Sequence, residues 1–120
     1  MESHKTMIIV RKPPFGSADS WEALRLALSF YAQRASIAVV LEGTGVLNWV
    51  SGLVSEVGSA LSVSRLVKDL GLFDVPVFIV SEDLLESGFD ATNLASQHAI
   101  LIPRSQLAHM VTTYDMVMAV

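Results

Sequence analysis

Short apolar runs that alternate with helical patterns are the feature of this sequence that most constrains its fold. The first run, residues 7–10, is too short and too rich in β-branched residues for a helix, and it is typical of a strand buried on both faces. Similar runs recur further along the chain. We predict strands within residues 5–11 and at 37–41, 75–80, 99–102 and 115–120.

Helical patterns lie between these predicted strands. The clearest begins near Asp19, because Asp19 and Glu22 have the spacing of an N-cap and its acidic third position, and apolar residues then recur at helical spacing. Residues 51–64 follow no clear period, so no structure is predicted for them. Further helical segments are predicted at residues 46–50, at 66–70 before Gly71, at 81–86 and from Pro103 onwards.

This alternation predicts the fold class. Parallel neighbouring strands need crossover connections, which are usually helices. We therefore expect a single α/β domain over residues 1–120, with three layers and a mainly parallel five-stranded sheet that carries helices on both faces.

Charge and hydropathy exclude several kinds of partner. The formal net charge is −4 and no basic cluster is present, so a phosphate backbone finds no complementary surface. No apolar run approaches the roughly 20 residues that span a bilayer, and residues 1–11 lack the pattern of a secretory signal. We expect a cytoplasmic protein with neither nucleic acid nor a membrane as a partner.

The reactive residues of the sequence form no catalytic set. With no cysteine, the chain has no thiol nucleophile and no thiolate metal ligand. His4, His98 and His109 lack the spacing of a metal-binding pair and the carboxylate neighbour of a catalytic base. The sequence thus predicts no catalytic residue, no metal and no cofactor. Three serines at predicted helix starts are expected to act as caps: Ser17, Ser81 and Ser105.

A candidate ligand pocket lies in the loops that follow the strands, since ligands of open α/β sheets bind beyond the carboxyl ends of the strands. The Gly43-Thr44-Gly45 segment begins like a dinucleotide-binding fingerprint, but Asn48 stands where the third glycine belongs, so a tight turn is the favoured interpretation. The candidate pocket residues are Phe15, Gly16, Ser17, Gly43, Thr44, Gly45 and Glu82.

The hydrophobic content suggests contact with another chain. Hydrophobic residues make up 52% of the chain without glycine, whereas about 45–50% including glycine is usual. The excess is buried either on both faces of the sheet or against a neighbouring molecule. One segment almost free of charge is a candidate for such contact and equally compatible with an internal core. Its residues are Trp49, Val50, Leu53 and Val54.

Several segments together resemble one family. A strand followed by the Pro-Phe-Gly-Ser loop at residues 14–17 and a long helix resembles the opening of DsrF and TusC proteins, as does the Glu-Gly-Thr-Gly-Val segment at 42–46. The Leu-Gly-Leu-Phe-Asp-Val segment at 70–75 is similar to the Leu-Gly-Leu-Tyr-Asp segment of that family. Residues 84–90 and the Tyr-Asp pair at 114–115 also fit. The chain is identified as a cysteine-less member of the DsrE/DsrF (TusC-like) sulfur-relay family.

The resemblance implies a DsrE-like fold of flavodoxin-like topology and a place in an oligomer. In that family a cysteine just after the third strand, typically of the DsrE/TusD chain, carries sulfur as a persulfide. Counting back from Gly88, the matching position here is Val80, with Ser81 beside it. Neither replaces a thiolate, because valine has no nucleophile and the serine hydroxyl stays protonated near neutral pH.

Two functions are compatible with this departure. The first is a non-catalytic subunit of a DsrEFH/TusBCD-like complex that supports persulfide transfer by a cysteine-bearing partner. The partners implied are DsrE/TusD-like and DsrH/TusB-like subunits, or copies of this chain in a dimer, trimer or hexamer. The alternative is a homo-oligomeric small-ligand-binding module of the same fold without sulfur transfer.

Overall fold

The computed structural model describes residues 4–53 and 63–120, and those residues contain five strands in one sheet. The order across the sheet is β4-β3-β2-β1-β5, and every neighbouring pair is parallel. The predicted parallel sheet is therefore confirmed. The strands are β1 (Lys5–Val10), β2 (Ser36–Leu41), β3 (Val77–Val80), β4 (Ile100–Ile102) and β5 (Met116–Ala119).

Four α-helices accompany the sheet in the described ranges, and none of them is long and apolar enough to cross a bilayer. Asp19 is the first residue of α1 and Ala18 precedes it, so the N-cap prediction for Asp19 is wrong. The helices are α1 (Asp19–Ala32), α2 (Val63–Leu72), α3 (Ser81–Glu86) and α4 (Arg104–Met110), and 3₁₀ helices span Gly43–Trp49, Ala91–Asn93 and Val111–Thr113.

The capping prediction also fails for the serines. Ser81 is the first residue of α3 and Ser105 the second residue of α4, and neither helix has a side-chain cap. Ser17 lies outside α1, where its Oγ accepts a bond from the Asp19 N–H at 3.3 Å without acting as the N-cap. Helices α3 and α4 begin directly after the extended residues Val80 and Pro103, so Ser81 and Ser105 lie inside the helices and not at the capping position.

The helices cover the two faces of the sheet, as predicted. From β1 to β4 the chain adds strands in one direction, and right-handed crossovers then place their connections on one face. β5 returns to the other side of β1, so α4 lies on the opposite face. Ile8 and Val10 of β1 pack with α1 and α2, whereas Met7 and Ile9 pack with Leu107 of α4. We call these the α1/α2 face and the α4 face.

The α4 face is covered incompletely. Its helix has only 7 residues, and Leu107 is its one wholly buried apolar residue. Ile100 pairs in register with Phe78, and Val117 with Met7, so both point to this face. Ile100 is nevertheless 54% exposed and Val117 41% exposed. Apolar surface of the sheet thus remains in contact with solvent on this side.

Candidate functional site

Charged side chains from the carboxyl ends of four strands meet in one group. Arg11, which follows β1, donates from Nε to Glu42 Oε1 at 2.8 Å at the end of β2. The guanidinium of Arg104, at the start of α4, lies 3.6 Å from Glu42 Oε2 and donates a hydrogen bond to Asp83 Oδ1 in α3. With Glu82 these residues form the strand-end cluster, composed of Arg11, Glu42, Glu82, Asp83 and Arg104.

Asp83 is the most deeply placed member of the cluster, with only 7% of its surface exposed. Its Oδ2 accepts the backbone N–H of Gly43 at 2.7 Å, and its Oδ1 accepts the Arg104 guanidinium. A carboxylate in such a position needs partners of this kind, because burial removes its hydration. Asp83 therefore joins the loop after β2 to the starts of α3 and α4.

Glu82 links the same elements from the solvent side. Its Oε1 accepts the Arg104 backbone N–H at 2.9 Å and the Ser81 hydroxyl at 3.3 Å. Bonds from its own backbone N–H and from that of Arg104 lower the pKa of Glu82. The hydrogen bond and the charge of Asp83 raise the pKa of Arg104. Both groups remain charged at neutral pH, so the cluster acts as an ionic network.

Gly45 shows how tightly the loop after β2 packs against β1. A Cβ built on this glycine would lie 1.9 Å from the Val10 carbonyl oxygen, so no larger residue fits without moving backbone. The Gly45 N–H donates to the Glu42 carbonyl at 2.9 Å, and the Glu42 N–H donates to the Val10 carbonyl at 3.0 Å. This close approach fixes the backbone on which Glu42 and Gly43 present their groups to the cluster.

Val80 and Ser81, the residues predicted to match the family cysteine, lie beside this network. Val80 is fully buried in the core of the α4 face, and Ser81 is half-buried at the start of α3. The Ser81 hydroxyl donates to Glu82, so a carboxylate and no histidine is its hydrogen-bond partner. A nucleophilic serine is usually paired with a base that a third group orients, and this arrangement is different.

The candidate pocket is assembled only in part. Gly43 and Thr44 line a cavity of about 240 Å³ together with three residues of α3 and its end, Asp83, Glu86 and Ser87. Gly45 is buried beneath Val10, and Glu82 bonds to Arg104. Phe15, Gly16 and Ser17 are exposed in the loop before α1 and are not among the residues lining this cavity.

The interface prediction is wrong for Trp49 and Val50, which the chain itself covers. Trp49 is wholly buried, and its Nε1 donates to the Ser96 carbonyl at 3.2 Å. Val50 is also buried and forms an antiparallel bridge with Leu94. Leu53 is 37% exposed, so its contact with another chain stays a prediction. Val54 lies outside the described residues.

Sequence reasoning missed most of the strand-end cluster. It placed Glu82 among the candidate pocket residues and gave no role to Arg11, Asp83 or Arg104. A signal was available, since Arg11, Glu42, Asp83 and Arg104 each lie within three positions after a strand. The histidines belong elsewhere: His98 Nε2 lies 2.5 Å from the Val75 carbonyl, and His109 is exposed. Within residues 4–53 and 63–120, no three metal-ligating side chains come together.

Comparison with known families decides the relationship. The family model described as DsrE/DsrF-like matches residues 4–120, nearly the whole chain. The chain belongs to the DsrE/DsrF-like family. This membership confirms the resemblance seen in the sequence, and the chain has no cysteine.

Solved structures agree with the fold of this DsrE/DsrF-like chain. The ychN protein from E. coli superimposes with a TM-score of 0.87 at 20% identity, covering 98% of this chain and 99% of that one. MTH1491 from Methanobacterium thermoautotrophicum superimposes with a TM-score of 0.70 at 14% identity, covering 99% and 100%. At these identities the likeness concerns the fold alone. No curated protein sequence matches the chain.

Proposed function

We propose that this DsrE/DsrF-like chain is a non-catalytic subunit of a DsrEFH/TusBCD-like sulfur-relay complex, in which a cysteine-bearing partner carries the persulfide. One observation carries the proposal: the chain has no cysteine, and the resemblance assigns the position of the family cysteine to Val80, with Ser81 beside it. Serine is no substitute for a thiolate near neutral pH. A chain of this kind contributes surface and shape to sulfur transfer, and a neighbour contributes the nucleophile.

The strand-end cluster supports a shaping role. Asp83 accepts a hydrogen bond from Arg104, and Glu82 accepts one from the Ser81 hydroxyl. Glu42 forms ion pairs with both Arg11 and Arg104, which joins Arg11 to the same network. These groups are engaged with one another and not arranged around a reacting atom. A network of this kind gives a partner a firm, polar surface beside the place where a thiol would act.

The α4 face supports a partner-binding role. Parallel sheets are normally covered on both faces, yet a helix of 7 residues is the main cover of this one. Ile100 and Val117 are exposed there, and apolar surface of this kind marks interaction sites. The partners we propose are DsrE/TusD-like and DsrH/TusB-like subunits, or further copies of this chain in a dimer, trimer or hexamer.

Co-expression with a DsrE-like chain that has the cysteine tests this function. We expect the two chains to co-purify, to sediment as one species at micromolar concentration, and to pass a labelled persulfide to an acceptor faster together than the partner does alone. The matched control is the same partner with its cysteine changed to serine, which should assemble but transfer nothing. Chains that sediment separately, or a sulfane sulfur attached to this chain purified alone, would contradict the proposal.

The cavity beside the strand-end cluster favours a second candidate function. Its lining of Gly43, Thr44, Asp83, Glu86 and Ser87 gives hydroxyl and carboxylate groups around about 240 Å³, which suits a small ligand in a homo-oligomeric binding module. Native mass spectrometry and a thermal-shift screen separate this function from the first, because a ligand that binds only the folded state raises its apparent stability. A homo-oligomer that binds a ligand there and ignores cysteine-bearing relatives would favour it.

A further inference from the structure

The ends of α1 and α2 form an exposed surface at the amino end of the sheet. α1 leads into β2 and α2 leads into β3, so both helices end where these parallel strands begin. The rings of Tyr31 and Phe73 stack there with their centroids 5.3 Å apart, yet 41% of Tyr31 and 44% of Phe73 stay exposed. We call these two rings the aromatic stack. Partly exposed aromatic pairs are typical of contacts between proteins.

A charged residue lies just beyond each ring, and the two charges are opposite. Arg34 follows α1 with φ +63°, and Asp74 follows α2 with φ +57°. Both stand in the left-handed conformation that favours glycine. Among the described residues Arg34 forms no ion pair, and Asp74 is paired only with His98, whose Nδ1 lies 3.7 Å from Asp74 Oδ1. With 93% of its side chain exposed, Asp74 is open to a further partner.

A depression beside the aromatic stack can receive one of these charges. Its volume is about 420 Å³, and the residues that line it are Tyr31, Ala32, Arg34, Ala35 and Ser36. The exposed guanidinium of Arg34 provides several N–H donors, which match the two oxygens of a carboxylate. The depression therefore fits a carboxylate that projects from the surface of a neighbouring molecule.

These features make the surface complementary to itself. In a dimer with a twofold axis, if one residue contacts a second across the interface, the second contacts the first as well. An axis through the aromatic stack brings Arg34 of each copy to Asp74 of the other, so the ion pair forms twice. Copies with a net charge of −4 repel one another at long range. The opposite charges at this surface supply the local attraction that a second copy needs.

We propose that a second copy of this chain docks on the aromatic stack through a twofold axis, with Asp74 of each copy in the depression beside Arg34 of the other. Small interfaces of this kind are transient, so about 100 µM protein is needed to populate the dimer, and micromolar protein leaves it dissociated. The pairing uses neither the α4 face nor the strand-end cluster. It can therefore fail while the proposed function holds, and the reverse.

Charge reversal on the full-length chain tests the pairing. Sedimentation equilibrium from about 1 µM to about 300 µM should show the average mass rising above that of the micromolar species. Arg34→Glu and Asp74→Arg should each weaken this association at least about tenfold, because both symmetric ion pairs become repulsive contacts. Arg25→Glu, the same reversal of charge earlier on α1, is the control and should leave the association unchanged. Circular dichroism checks the folding of each variant.

An equal mixture of the two variants gives the sharpest result. Glutamate at position 34 of one variant then meets arginine at position 74 of the other, and the native Asp74 meets the native Arg34. The mixture should associate as the unaltered chain does, although neither variant associates alone. If either variant folds poorly, Arg34→Gln and Asp74→Asn replace the pair, and each should weaken the association. A constant mass up to about 300 µM, single variants that associate normally, or a mixture that stays dissociated would overturn the proposal.

Discussion

Both faces of the sheet carry apolar side chains, but the chain covers the two faces very differently. On the α1/α2 face, helices of 14 and 10 residues and a 3₁₀ helix bury the strands, and Leu24, Leu70 and Trp49 are fully enclosed. On the α4 face, one helix of 7 residues leaves Ile100 and Val117 exposed. The difference indicates that folding stability resides mainly on the first face, whereas the second is the face proposed above to bind a partner.

A matched pair of leucines gives the largest expected effect. Leu24→Ala on α1 should lower the free energy of unfolding by about 4 kcal/mol, because the site is fully enclosed and collapses poorly. Leu107→Ala on α4 should cost about 2 kcal/mol, since the neighbouring cover is thin and easily relaxes. Equilibrium urea denaturation measures both. Equal losses of unfolding free energy in the two variants would contradict the proposed difference between the faces.

Gly45 tests how rigidly the loop after β2 is held beside the α1/α2 face. Gly45→Ala should destabilise the fold by about 3 kcal/mol, because the new Cβ meets the Val10 carbonyl and backbone has to move. The control is Gly43→Ala, where φ is +58° and nothing lies within 4 Å, so that only about 1 kcal/mol of backbone strain is expected. Thermal unfolding measures both variants. If Gly43→Ala is the more destabilising of the two, Gly45 does not lie this close to the Val10 carbonyl in solution.

Asp83 tests whether the strand-end cluster is structural. Asp83→Ala leaves the Gly43 N–H and the Arg104 guanidinium without their acceptor, and should cost about 2 kcal/mol of unfolding free energy. Glu22→Ala breaks an exposed pair with Arg25 on α1 and serves as the control, with a cost below about 0.5 kcal/mol. Chemical denaturation of both variants separates a buried network from surface charge. If Asp83→Ala lowers the free energy of unfolding no more than Glu22→Ala does, the strand-end cluster has no structural role.

The exposed residues of the α4 face should matter for assembly more than for folding. Ile100→Glu should change the unfolding free energy by no more than about 0.5 kcal/mol, as is usual for exposed positions, but should disrupt the complex with a partner or with other copies. Leu72→Glu, at the exposed end of α2, is the control. Sedimentation velocity is the measurement. Assembly that survives Ile100→Glu and is lost with Leu72→Glu would move the interface to the other side of the molecule.

Acid sensitivity gives the smallest effect. Because hydrogen bonds lower the pKa of Glu82 in the folded chain, its stabilisation is complete above the ordinary glutamate range and is lost as the pH falls through the lowered pKa. The urea concentration at the unfolding midpoint should decrease once the pH drops below about 5. Glu82→Gln should make this decrease smaller, whereas Glu86→Gln should leave it unchanged. Asp90 should contribute equally in both variants, since bonds from Thr92 lower its pKa too. A fall unchanged in Glu82→Gln would contradict this assignment.

The strands were predictable because each contains a short apolar run, which is rich in β-branched residues in β1, β2 and β3. The parallel sheet follows from the helical segments between them. The fate of Trp49 was not predictable, because the loop that covers it, including Ser96, lies far away in the sequence and is brought close only by folding. The strand-end cluster was partly within reach. Its members follow strand ends, which the sequence shows. The carboxylate that accepts the Arg104 guanidinium depends on the geometry of the first turn of α4, and this geometry is not encoded in the local sequence.

The lengths of the strands affect how this molecule meets its neighbours. The two outermost strands, β4 and β5, have 3 and 4 residues, whereas the central β1 and β2 have 6 each. Such short edge strands present few unpaired backbone N–H and C=O groups, so another chain gains few hydrogen bonds by pairing with them. Self-templated fibril growth is thereby discouraged, and the association proposed above is left to flat side-chain surfaces such as the α4 face.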